Sequence, residues 1–207
     1  MILIACSLIG LLFDHGRVSA PVSLPDRVSP PSPLVMAVEQ SPAIPLAIVN
    51  DALAEAAAIW QPLGVTLTWN AVDANAHPAA VRVIFTDDAA IGSPAPAEET
   101  LGWIRFWAPA APEPVIHVSR TVAVQLLAST SSLRALPVRR QQLLLARVLG
   151  RALAHELGHF LLASQEHTSS GLMRPRFSLD VLIANERGAF DLSPKLARLR
   201  NRSCASS

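Results

Sequence analysis

The chain has no tyrosine, only two cysteines and a formal net charge of +1. Each shortage removes a class of function. Cys6 lies in an apolar N-terminal run and Cys204 near the other end, so a disulfide framework is excluded. The near-zero charge gives no electrostatic basis for binding nucleic acid. Past residue 13, no apolar run approaches the roughly 20 residues that span a bilayer.

What is present comes in blocks. Residues 2–13 (ILIACSLIGLLF) are almost unbroken apolar, and Val18, Ser19 and Ala20 supply small residues before a cut. This predicts a signal peptide or membrane-anchoring segment over residues 1–20, and so a secreted, periplasmic or cell-envelope protein. Leu3 to Cys6 also has some likeness to a lipidation box. Residues 21–45 hold seven prolines, a composition that predicts an extended linker. The folded domain is expected over residues 46–207.

Within that domain the periodicity predicts a helix from Leu46 to Trp60, with Val49, Leu53, Ala56 and Ile59 on one face. Pro62 and Gly64 stop it. Val65, Leu67 and Trp69 alternate with polar residues as a half-buried strand does. Further strands are expected at 81–85, 101–107 and 115–119, with a loop over 89–99 and a short helix near 122–128. A long helix should run from about Pro137 to Leu162. A polar loop follows over 164–171, and a closing helix from about Ser193. This order predicts an α+β domain, a small mixed β-sheet packed against the long helix.

The long helix ends in HELGH, residues 155–159. Residues four apart stand on one helix face, so His155 and His159 aim their imidazoles at one point. Glu156, next to the first, is close enough to take a proton from water activated there. Zinc accepts neutral imidazole ligands and lowers the pKa of a bound water to about 7. That is the chemistry a His-Glu-x-x-His helix serves. Gly158 leaves space beside the site. A catalytic zinc needs a third protein ligand. The candidates are His167, past the helix end, and its rival Glu186, with Glu166, Asp180 and Asp191 behind them. Either aspartate would also suit as a hydrogen-bond partner to a ligand histidine.

HELGH, then His167, then Gly171-Leu172-Met173 resembles the metzincin clan of zinc peptidases. The motif there is His-Glu-x-x-His-x-x-Gly-x-x-His followed by a methionine turn. The segment 171–177 (GLMRPRF) is also similar to small exported, matrixin-like bacterial proteins of the same type. His155, Glu156 and His159 match the motif residue by residue. The resemblance implies a zincin-like fold, one catalytic zinc ion on His155, His159 and His167, Glu156 as general base, and Met173 as the turn methionine beneath the metal. Two positions depart from it. The family glycine falls at Leu162 and its third histidine at Gln165. Here the third histidine comes two residues late, so the helix is expected to run slightly longer before it turns.

The missing tyrosine also matters here, because some metzincins use one after the turn as an extra ligand and oxyanion donor. Arg174, Arg176 and His117 are the cationic or donor groups available in its stead. The implied activity is zinc-dependent endopeptidase action on a peptide or protein, held extended along the 101–107 strand edge. The competing expectation is an inactive, metal- or peptide-binding zincin-like domain at the cell surface. Neither involves nucleic acid, nor a membrane beyond the N-terminal segment.

Overall fold

The structure, a computed structural model, describes residues 33–71, 79–87 and 100–192. The expected signal segment, residues 21–32 of the expected linker, the 89–99 loop and the closing helix from Ser193 lie outside them.

Five strands make one mixed sheet: β1 (Leu34–Gln40), β2 (Leu67–Ala71), β3 (Val81–Thr86), β4 (Gly102–Ala108) and β5 (Ala111–Ser119). Their order is β2-β1-β3-β5-β4. All neighbours run parallel except β4, which pairs antiparallel with β5 at one end of the sheet. The helices are α1 (Leu46–Trp60), α2 (Arg120–Ala128), α3 (Ser131–Arg134), α4 (Val138–Leu162) and α5 (Leu179–Ile183). This is the α+β architecture expected, with α4 as the long helix.

The linker boundary needs correction. Residues 34–40 belong to the sheet, and β1 pairs on both sides, with β2 and with β3. The prolines stop at Pro33 and resume at Pro42, so each residue between keeps its N–H for the ladder. Met36 and Val38 enter the core from this strand. The folded domain therefore begins by Leu34, not at residue 46.

The core lies between one face of the sheet and the α1–α4 pair. Met36, Val38, Val81, Val83, Phe85, Ile116 and Val118 meet Val49, Leu53, Ala56 and Trp60 of α1, and Val148, Leu149, Leu153 and Leu157 of α4. Each of the larger aliphatic and phenyl side chains contributes about 1.5–3 kcal/mol on burial. The two helices touch backbone to backbone at Gly150, where a Cβ would fall 2.4 Å from the Ala52 carbonyl oxygen. Trp60, fully buried, donates its indole N–H to Ala154 O on α4 (3.1 Å).

One buried charge ties the C-terminal part to this pair. Arg151 of α4 donates Nε–H to Glu55 of α1 (2.9 Å), and its other nitrogens donate to the carbonyls of Val181, Ala184 and Glu186. Arg187 donates to the second oxygen of the same Glu55 (2.6 Å). The segment after residue 178 is thereby anchored against α4. Its position fixes what lies under the end of the helix.

Candidate active site

Helix α4 reaches past the core, and its last two turns carry His155, Glu156 and His159. The helix ends at Leu162, the family glycine position, and the left-handed residue follows one place later. Ala163 adopts the left-handed conformation (φ 46°, ψ 42°) that turns the chain away. The later turn carries the third histidine to position 167. Ring centroids of His167 lie 5.3 Å from His155 and 4.9 Å from His159. One nitrogen from each of the three falls within 4.8 Å of the others.

Hydrogen bonds fix the tautomers. His155 Nδ1–H donates to Leu172 O (2.7 Å), and His159 Nδ1–H donates to Ser164 O (2.7 Å). A carbonyl only accepts, so both Nδ1 atoms carry protons. Burial drives the pKa of His155 down to about 4, with the neighbouring His159 adding to the effect. Burial also lowers His159 and His167. Each shift favours the neutral ring, the state a metal ligand needs. Neither Nε2 of the first pair then holds a proton, yet the two face each other at 3.1 Å. Two lone pairs opposed at that distance repel unless a cation lies between them. Two nitrogens on a tetrahedral zinc at 2.0–2.1 Å would stand about 3.3 Å apart, so the residues fit such an ion.

The expected aspartate partners are not the ones used: backbone carbonyls of residues 164 and 172 orient the rings. The expected rival ligand is also set aside. Glu186 is exposed and offers its backbone carbonyl to Arg151, and it is not in the three-histidine group. Glu166, Asp180 and Asp191 are exposed and outside the group too.

The turn at 171–173 lies under the helix. Gly171 has φ +77°, and a Cβ there would come 2.2 Å from Asp191 O. Leu172 N–H donates to that same carbonyl (3.0 Å), and Thr168 N–H donates to Met173 O (2.8 Å). Met173 is buried with its sulfur against Gly158, where a Cβ would lie only 2.2 Å away. Gly158 therefore makes room for the methionine as well as for the site. Trp60 closes the same floor.

Glu156 is buried and has no protein hydrogen bond among the described residues. Burial alone pushes its carboxyl up to about 8. It lies against the first residue of β4: a Cβ on Gly102 would meet Glu156 Cγ at 3.0 Å. Among the described residues β4 is an end strand of the sheet, so the carboxyl group lies beside a sheet edge with no described partner. Of the other cationic candidates, His117 stacks on Trp103 (4.7 Å) and pairs across from it on β5, with its pKa lowered mainly by burial. Arg174 covers the ring of Phe177, which meets His155 edge-on at 6.1 Å. Arg176 is exposed.

No protein-family model and no curated protein matches the chain. Solved structures do. Archaemetzincin from Methanopyrus kandleri is similar at 15% identity over 86% of this chain and 99% of its own, with a TM-score of 0.50. A zinc-dependent peptidase from Methanocorpusculum labreanum is similar at 14% identity over 80% of this chain and 100% of its own, with a TM-score of 0.52. At such identities the likeness shows the fold alone: this chain folds as those metallopeptidases do.

Proposed function

We propose that the protein is a zinc-dependent endopeptidase, with His155, His159 and His167 holding one zinc ion and Glu156 acting as general base. One observation carries the reading: three imidazoles converge, two of them with bare Nε2 atoms facing each other, beside a buried carboxyl group that has no hydrogen bond among the described residues. The neighbours' names point the same way.

When bound, zinc would polarise the scissile carbonyl and acidify water at the site. The rest belongs to this chain. Glu156 accepts the proton of the attacking water and passes it to the leaving amine. Burial in the protein alone favours its neutral form, and positive charge nearby favours the carboxylate that a base requires. The peptide lies extended along the free edge of β4, which Gly102 brings against Glu156 without an intervening side chain. Met173 and Gly158 set the floor beneath the histidines. Residues 1–20 direct the protein out of the cell or hold it at the envelope, and its substrates are peptides or proteins there.

Metal analysis and a peptide-library assay, run on wild type and Glu156→Ala, test this. The expected result is one zinc per chain in both and cleavage only in wild type. Zinc without cleavage in either would make the domain a peptide binder. Undiminished cleavage in Glu156→Ala would remove Glu156 from its role. His167→Ala should lose zinc, and Glu186→Ala should keep it.

A further inference from the structure

Four groups stack outward from α4 beside the histidines. Arg151 lies under Phe190 (4.7 Å), Phe190 stacks on Phe177 (5.0 Å), and Arg174 caps Phe177 (4.2 Å). The inner cation is paired with Glu55 and three carbonyls. The outer one is not. Arg174 Nε and Nη2 are shielded from solvent and have no hydrogen-bond partner among the described residues. Each buried donor left unsatisfied costs about 1–3 kcal/mol. A structural arginine would spare that cost by finding a carboxylate, as Arg151 does.

Nε and Nη2 form one edge of the guanidinium, the edge that grips a carboxylate with two parallel hydrogen bonds. Phe177 holds the group one ring away from the ligand His155, so an anion on that edge lies beside a peptide bound at the metal. The residue as a whole is half-buried, so part of its side chain lies at the surface. Cation–π contact with Phe177 keeps the charge in place without neutralising it.

We propose that Arg174 is a specificity-determining residue that binds a carboxylate of the substrate near the scissile bond. This rests on the endopeptidase reading for its location, and on Arg174's own unpaired donors for its chemistry. The carboxylate is either an Asp or Glu side chain or the free C-terminus of a short peptide.

Matched peptides separate these sources: Asp/Glu against Asn/Gln at each position, and free acid against C-terminal amide. Wild type and Arg174→Gln are compared by kcat/KM, and by equilibrium binding on the zinc-loaded Glu156→Gln background. Wild type should prefer the carboxylate by about tenfold or more, the contribution of one charge-assisted hydrogen bond. Arg174→Gln should abolish the preference, Arg174→Lys should keep part of it, and Arg174→Glu should reverse it towards basic peptides. A merely structural arginine would lower all peptides together and leave the ratios unchanged. That result, or no carboxylate preference in wild type, overturns the inference. Carboxylate-dependent binding that vanishes in Arg174→Gln would uphold it even if no peptide is cut, and the endopeptidase reading alone would then fail.

Discussion

Two positions on α4, one turn apart, bury polar groups and treat them in opposite ways. At Arg151 all three guanidinium nitrogens find protein acceptors, and the side chain has no exposed surface. One turn on, Glu156 is buried and His155 half-buried, but the Nε2 atoms of His155 and His159 face one another and the carboxyl has no hydrogen bond among the described residues. Both arrangements cost desolvation. In the first the fold itself compensates it. In the second the fold supplies carbonyls to the two Nδ1 atoms, but among the described residues no donor reaches the facing Nε2 atoms or the carboxyl. Satisfaction, more than burial, separates the structural half of the helix from its chemical half.

If that separation is right, Glu156→Gln costs activity and not stability. The amide has the same shape and suits a desolvated site better than a carboxyl that burial already keeps neutral. Peptide cleavage should fall by about 10²–10⁴-fold. The urea midpoint should hold or rise. A midpoint that drops as far as it does for Arg151 would break the comparison.

Arg151→Met is the reverse case. It leaves Glu55 with only the half-exposed Arg187 and frees three carbonyls of the 181–186 segment. Removing one partner from a buried pair costs about 3–5 kcal/mol. Urea unfolding of zinc-free protein measures this without contribution from the metal. Adding Glu55→Gln to Arg151→Met should then cost less than it does alone, because the two residues share one interaction.

Just past the second region lies Gly158. A methyl group there meets the sulfur of buried Met173, and crowding of this kind costs about 1–3 kcal/mol. Gly158→Ala should lower both the melting temperature and zinc affinity, read by competition with a chelator. On a Met173→Ala background the same methyl enters vacated space and should cost less. Equal costs on both backgrounds would mean that the methionine does not rest on the glycine.

Much of this was legible in the chain because it is periodic. The apolar spacing of α1 and α4 and the alternation in β2 placed those elements within a few residues. HELGH on a helix placed His155, Glu156 and His159 at the site. The strand β1 was hidden by composition: LVMAVEQ is apolar on both faces, as a central parallel strand is, but prolines flank it. Five-residue α5 is too short to show a period. β5 begins at Ala111, earlier than expected, because Pro112 and Pro114 sit where its antiparallel pairing with β4 is irregular. The third ligand was left between His167 and Glu186, since loop spacing does not say where a chain turns back. The backbone partners of the imidazoles, Ser164 O and Leu172 O, have no sequence signal, because any residue supplies a carbonyl. Arg151 carried none either: an arginine on an amphipathic helix reads as exposed until its partners are known.

The smallest effect is expected where the helix stops. Ala163 holds a left-handed conformation that costs an L-residue about 1–2 kcal/mol, and glycine would hold it freely. Part of that gain is offset by the greater freedom of glycine in the unfolded chain, so Ala163→Gly should stabilise by about 1 kcal/mol or less. The turn sets where Ser164 presents its carbonyl to His159. Relaxing strain without moving the turn should therefore leave zinc affinity unchanged. Ala163→Val, stiffer at Cβ, should lower stability and, if the turn shifts to accommodate it, zinc affinity with it. Should glycine at 163 destabilise the protein instead, the helix does not end in a left-handed residue there, and the two-residue delay of the third histidine needs a different geometric cause.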